Sequence, residues 1–396
     1  MIVQAAAIRL LAWGLAVIAS LASGAAFTAP FVPDNDDAVV ERLPEQADPS
    51  LKEIKRLRAA LARDSRNLDI GAAVARRSIE AARATGDPRF LGQAQAALTP
   101  WWNADDPPSA ALLLRATLKQ SQHDFAGAIK DLDRLLAREP SNGQALLTRA
   151  TVLTVRGHYT DAQADCRKLA RLTSALVVAS CIAAPASLGG NADDAYRTLM
   201  QALARGNDSP AIRAWALTLA AEIAARRGDA GNADAHFEAA FQLDPRDAYL
   251  RAAYADFLLD KDRARDALPL LKDDTRNDSL LLRLALAERA LPDMQVMFDS
   301  HRADLAARFD AARARGDTLH QREEARFELE IRGDAKKSLA LARDNWKVQR
   351  EPADLRILGQ AALAAGDAAA LEIVNTWIDD TRLQDATLVA MRGAKR

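Results

Sequence analysis

Small apolar side chains recur at a nearly fixed interval along the middle of this 396-residue chain. Ala128, Ala162, Ala195, Ala233 and Ala267 are separated by 34, 33, 38 and 34 residues, and each begins the same half-polar helical pattern. A period near 34 residues is typical of helix-turn-helix repeats, in which a unit buries its apolar face only by stacking on its neighbours. The pattern therefore predicts an all-α solenoid.

The unit at residues 143–176 shows most clearly how large and small side chains alternate. Its large, small, glycine and aromatic positions are Leu146, Ala150, Leu153, Gly157, Tyr159, Ala162, Cys166 and Leu169. This order resembles the tetratricopeptide repeat (TPR). The resemblance implies a right-handed α-α superhelix of antiparallel helix pairs over residues 72–390, after a capping helix region at 51–71, with the clearest repeats at 109–142, 143–176, 176–209, 214–247 and 248–281.

The amino terminus has the composition of an export signal. Arg9 precedes the apolar run Leu10–Leu21, and small residues follow as far as Ala26. This pattern predicts a signal peptide at 1–26, and hence a periplasmic or secreted protein of the bacterial cell envelope. Weak apolar character continues to Val32, so an uncleaved membrane anchor is the alternative. The Pro- and Asp-rich residues 27–50 predict a disordered linker.

Charge and composition narrow the class of partner. Lys plus Arg is 53 against 54 for Asp plus Glu, which gives a formal net charge of −1. Because no basic excess exists, we expect no nucleic-acid partner, and a membrane partner only if the N-terminal segment is retained. The charges alternate in sign along the helices, which is typical of a solvated face.

Two neighbouring units share a pair of opposite charges at equivalent positions. Arg115 and Asp131 occupy positions 7 and 23 of one repeat, and Arg149 and Asp165 occupy the same positions of the next. Because position 7 lies on the first helix and position 23 on the second, we predict an interhelical salt bridge in each unit. The alternative is exposed charges that never meet, which contribute about 0 to 1 kcal/mol.

The chain contains two cysteines, Cys166 and Cys181. In the tetratricopeptide family a second helix packs on the first helix of the following unit, which implies that these two positions lie close together. Outside the cytoplasm such a pair is expected to oxidise to a disulfide. Two buried, reduced cysteines acting as small hydrophobic residues are the alternative.

The resemblance also implies a binding groove, because first helices line the concave face of such superhelices. The matching positions that we select as a partner groove are Leu113, Gln144, Thr151, Thr154, Trp215, Glu222, Tyr249 and Asp256. Trp215 and Tyr249 are candidate peptide anchors, or they pack against adjacent helices. The groove lacks a row of Lys or Arg, so capture of a terminal carboxylate is not expected.

Motifs for catalysis or metal binding are absent from the sequence. The five histidines are scattered, and no His-Glu-x-x-His, Gly-x-Ser-x-Gly or phosphate-binding glycine loop occurs. We therefore expect no enzyme activity, no cofactor and no metal. The sequence favours a non-catalytic, exported scaffold that binds a peptide or protein. A membrane-tethered envelope assembly factor and, less favoured, a cell-wall enzyme with a helical superhelix are the alternatives.

Overall fold

Helices follow one another through residues 49–393, which are the residues that the computed structural model describes. The predicted signal peptide at 1–26, and the predicted linker as far as residue 48, lie outside them. Within the described residues there are 21 α-helices and no β-strand. The helices are α1 Pro49–Arg63, α2 Leu68–Thr85, α3 Arg89–Ala97, α4 Thr99–Trp102, α5 Ser109–Ser121, α6 Phe125–Arg138, α7 Gly143–Val155, α8 Tyr159–Lys168, α9 Ala175–Leu188, α10 Ala192–Arg205, α11 Pro210–Arg226, α12 Ala230–Leu243, α13 Ala248–Leu259, α14 Ala264–Leu271, α15 Asp278–Arg289, α16 Gln295–Ala314, α17 Gln321–Phe327, α18 Ala335–Val348, α19 Pro352–Ala365, α20 Ala368–Thr381 and α21 Ala386–Gly393.

Short turns join these helices into packed pairs. The pairs are α2–α3, α5–α6, α7–α8, α9–α10, α11–α12, α13–α14, α15–α16, α17–α18 and α19–α20. A loop of a few residues reverses the chain, so the two helices of a pair run antiparallel. Helix α1 packs on α2 at one end of the array, and α21 packs on α19 at the other. The all-α superhelix expected from the sequence is confirmed.

The recurring alanines explain how closely the helices pack. Ala128, Ala162, Ala233 and Ala267 are 0% exposed, and Ala195 is 6% exposed. A methyl group at these contacts lets helix axes approach to about 8 to 10 Å. Larger side chains such as Leu132, Leu199 and Phe237 then fill the space on either side, so each unit buries its apolar face against its neighbours.

Turn chemistry follows the same periodicity with one substitution. Gly157 and Gly228 end the first helices of their units with φ of +80°, a left-handed conformation that glycine adopts without a steric cost. The unit at 248–281 lacks this glycine, and Asp262 takes the left-handed conformation there with φ of +57°. The turn geometry therefore survives where its usual residue is missing.

The array is not an extended ribbon, because distant units touch each other. Helix α2 contacts α13, and α11 contacts α21. A side chain at Gly86 would collide with Asn277, which shows how closely the end of α2 approaches the turn before α15. Across residues 49–393, every helix falls short of the length and apolarity needed to cross a bilayer.

Candidate interaction surface

The first predicted ion pair lies inside the repeat at 109–142. Arg115 donates from Nε and Nη2 to the Asp131 carboxylate at 2.7 and 2.5 Å, and the two residues are 7% and 2% exposed. Arg115 also donates to the Trp102 carbonyl at 2.5 Å, and Lys119 Nζ lies 2.9 Å from Asp131. Burial alone raises the pKa of Asp131, but the hydrogen bonds from Arg115 and Lys119 outweigh it and hold this pKa below its ordinary value. The pair therefore joins α5 to α6 and fixes α4 against them.

The second predicted pair repeats this geometry nearer to solvent. Arg149 donates from Nε and Nη2 to Asp165 at 2.7 and 2.8 Å, and from Nη1 to Asp133 of the preceding unit at 2.5 Å. The Arg149 side chain is 19% exposed, against 8% for Arg115. The hydrogen bond to Asp165 leads the interactions that raise the pKa of Arg149 above its ordinary value. Both pairs predicted from the sequence are thus present.

Cys166 and Cys181 form a disulfide between α8 and α9. Their Cα atoms lie 5.5 Å apart, and the two residues are 0% and 5% exposed. The bond therefore ties the second helix of one unit to the first helix of the next, inside the core.

The carboxy-terminal helices fold back onto the turns of the middle repeats. Arg156 Nη1 donates to the carbonyls of Lys347 and Val348 at 3.0 and 2.6 Å, and the Arg350 amide donates to the Val155 carbonyl at 2.8 Å. Beside them the Trp377 ring packs edge-on against a tyrosine ring at the start of α8, with ring centroids 6.4 Å apart. A stretch of chain near residue 350 is thereby fixed against α7 and α8.

Two ion pairs continue this contact on α13. Asp256 accepts from Arg283 Nη2 of α15 at 2.6 Å and from Arg326 Nη1 of α17 at 2.5 Å. Burial raises the pKa of Asp256, but the two guanidinium groups more than offset this and leave it well below its ordinary value. Asp260 pairs with Arg356 of α19 at 2.5 Å. The Asp256 carboxylate, predicted as part of the partner groove, is therefore engaged by the chain's own arginines.

Three of the predicted groove residues lie together beside that contact. Trp215 and Glu222 lie two turns apart on one face of α11, and Tyr249 lies on α13. Tyr249 donates its hydroxyl to Glu222 Oε1 at 2.6 Å, while its ring remains 60% exposed and that of Trp215 39% exposed. The negative charge of Glu222, followed by burial, raises the pKa of Tyr249 well above its ordinary value. Burial raises the pKa of the half-buried Glu222, and the Glu351 charge adds to this.

The remaining four predicted groove residues lie on α5 and α7. Leu113 is half-buried against the core, and Gln144 is exposed with its amide 3.3 Å from a neighbouring threonine hydroxyl. Thr151 and Thr154 donate their hydroxyls to carbonyls of their own helix at 3.0 and 2.8 Å. These residues offer small polar contacts rather than an aromatic anchor.

The helix pairs, their buried alanines and the stacking of successive units together decide the architecture. The chain is a tetratricopeptide-like solenoid. No family model matches its sequence, and no curated protein matches it either.

Solved structures share the tetratricopeptide-like fold at low identity. The chain is similar to one in the APC/C hetero-tetramer Cut9-Hcn1, with 13% identity and a TM-score of 0.44 over 79% of this chain, and it spans about half of that one, 52%. A thermophilic TPR protein from Thermus thermophilus, TTC0263, is 24% identical over 46% of this chain and 99% of its own, with a TM-score of 0.36. The human IFIT1 dimer with PPP-AAAA is 12% identical over 84% of this chain and 95% of its own, with a TM-score of 0.42. These likenesses concern the fold alone.

One cluster of this tetratricopeptide-like solenoid escaped the sequence analysis. Glu323, Glu324 and Glu328, from α17 and the π-helical turn after it, are 7%, 5% and 1% exposed. Nearby, Arg322 Nη1 lies 3.0 Å from Glu351. The expectation that alternating charges form a solvated face fails here, because the fold-back encloses this segment. A dense run of charges next to a buried phenylalanine, Phe327, was the available clue.

Proposed function

We propose that the protein is a non-catalytic, exported scaffold that binds a peptide or protein segment at Trp215, Glu222 and Tyr249. The observation that carries the proposal is the exposure of both aromatic rings, 39% and 60%, on the first helices of adjacent units. Large aromatic side chains that remain accessible on a rigid helical wall are typical anchor points for a partner.

The chemistry of these three residues favours a segment with both apolar and hydrogen-bond-donating groups. The Tyr249 hydroxyl is fixed by Glu222, so its ring is held in place before a ligand arrives, which lowers the ordering cost of binding. Glu222 accepts that bond through one oxygen and keeps its second oxygen for a ligand donor. The two rings supply apolar area, and the carboxylate supplies direction.

The fold-back limits the size of this surface. Asp256 and Asp260, further along α13, are paired with Arg326 and Arg356. A partner that contacts Tyr249 therefore meets the chain's own helices beyond it. This favours a short segment over a partner that fills the whole inner wall.

Photocrosslinking in cells tests the ligand site. A benzophenone amino acid replaces Trp215 in one variant and Lys130, an exposed residue of the second helix α6, in the matched control. We expect a specific adduct from position 215, its loss when Tyr249→Ala is added, and none from position 130. Equal adducts from both positions, or adducts unaffected by Tyr249→Ala, would contradict the site.

Export is tested separately. Mass spectrometry of the purified protein identifies its first residue and the oxidation state of Cys166 and Cys181. A mature chain that begins near residue 27, with both thiols oxidised, supports export. A chain that keeps Met1 and fractionates with membranes supports the tethered assembly factor instead, and reduced cytoplasmic protein would refute both.

A further inference from the structure

The balanced charge of the whole chain conceals a strongly basic end. Residues 49–89, which include α1 and α2, contain ten Lys or Arg and five Asp or Glu, a net charge of +5, against −1 for all 396 residues. Cations this close together act jointly, because the Debye length at physiological salt is about 8 Å. The amino-terminal end of the solenoid is therefore electrostatically unlike the rest.

Helix α1 places its cations on one outer face. Ile54 is 3% exposed, and Leu57 and Leu61 pack against the core of the first unit. At 100° per residue, the side opposite these three carries Lys52, Lys55, Arg56 and Arg63, all of them exposed. Eleven residues separate the first from the last, so the face extends for about 17 Å along the helix.

These cations lack acidic partners within the described part of the chain. The one carboxylate of α1, Glu53, pairs with Arg77 of α2 at 3.4 Å. No carboxylate of residues 49–393 forms an ion pair with Lys52, Lys55, Arg56 or Arg63. The four charges are consequently available to an external anion.

We propose that this basic face of α1 docks on the anionic headgroups of a lipid bilayer. The face is convex and contains no aromatic residue on which a nucleobase would stack, and its charges are spread along a helix rather than gathered around one pocket. This arrangement suits a diffuse anionic surface, where each Lys or Arg contributes about 1 kcal/mol. The apolar run Leu10–Leu21 precedes α1 in the sequence, so either reading of that run brings this end of the protein to a membrane.

The docking surface goes beyond the proposed ligand site, since it lies on α1 rather than on α11 and α13. Its failure would leave the photocrosslinking result at Trp215 untouched. It needs only that the folded protein meets an anionic membrane.

Vesicle flotation tests the proposal with residues 27–396, which lack the apolar run but retain the whole compact unit from Asp48 to Arg396. The vesicles contain phosphatidylcholine with or without phosphatidylglycerol. We expect binding to the anionic vesicles, little to the neutral ones, and release at high salt. Lys52→Gln with Arg56→Gln should weaken binding roughly thirtyfold, since two cations are lost.

Lys261→Gln with Lys272→Gln is the matched control, because it removes two exposed cations elsewhere and should change binding less than threefold. The far-ultraviolet spectrum and thermal midpoint of each variant verify folding, and Arg63→Gln alone provides a second test. Equal binding to neutral vesicles, or equal effects of the two double variants, would overturn the proposal. Binding to polyglutamate or DNA without binding to anionic vesicles would overturn the lipid assignment.

Discussion

Arg115→Ala is the sharpest perturbation of the repeat core. It removes both hydrogen bonds to Asp131 and the bond to the Trp102 carbonyl, all on a residue that is 7% exposed. The Asp131 carboxylate, 2% exposed, would then retain only Lys119 as a cationic partner. The variant therefore leaves a buried charge only partly compensated.

The expected cost follows from burial and from the partners that remain. Breaking a buried ion pair by removing one member costs about 3 to 5 kcal/mol, because the other charge is stranded. Since Lys119 still neutralises part of the Asp131 charge, we expect about 3 kcal/mol for Arg115→Ala. Arg149→Ala, in the more exposed pair, should cost about 1 to 2 kcal/mol.

Urea unfolding at pH 7 measures both costs, and amide hydrogen exchange localises the first to residues 109–142. The pH adds a second test. The folded-state pKa of Asp131 is depressed, so its stabilising contribution is present above about pH 4 and is lost as the pH falls through the folded-state pKa. The difference between wild type and Arg115→Ala should therefore shrink below pH 4.

Three results would refute this reasoning. Arg115→Ala could cost no more than Arg149→Ala, its cost could persist unchanged at low pH, or the faster exchange could lie outside residues 109–142. The double variant Arg115→Met with Asp131→Leu is the control, because it removes the charge from both positions and should recover much of the lost stability.

Three further outcomes follow from other contacts. Replacing Cys166 and Cys181 with Ala should lower the free energy of unfolding by about 3 kcal/mol, since the disulfide closes a loop of 15 residues; equal urea midpoints for wild type and variant would contradict this. Burial raises the pKa of Asp354 to about 6, so stability should fall as pH rises from about 4 to 6 and then level off, and Asp354→Asn should abolish this slope in urea titrations across that range. Gly157→Ala should cost at least about 1 kcal/mol, because the residue has φ of +80° and its new Cβ would lie 2.5 Å from the Trp377 ring; an unchanged thermal midpoint would exclude this close approach.

Periodicity predicted what is local to a repeat. The spacing of Ala128 to Ala267 gave the helix pairs, and the equivalent positions of Arg115 and Arg149 gave their partners, because a repeated unit places equivalent residues in equivalent surroundings. Small departures occurred at boundaries, where α1 begins at Pro49 rather than Leu51.

The fold-back could not be read in the same way. Arg156 and Val348 are 192 residues apart, and nothing in a 34-residue period identifies which distant unit a turn will meet. The charges from Arg322 onward also look the same in sequence whether water or another helix covers them. The engagement of Asp256 by two arginines was hidden for this reason.

The contact between the turn after α7 and the chain near Arg350 has a consequence for folding. In an open stack, each unit depends on the next one alone, and ends can fray or be trimmed one unit at a time. Here an early segment awaits a partner made almost two hundred residues later, which raises the mean sequence separation of native contacts and slows the final step. Removing the last three helices should therefore loosen α7 and α8 far upstream, and melting should occur as one cooperative event.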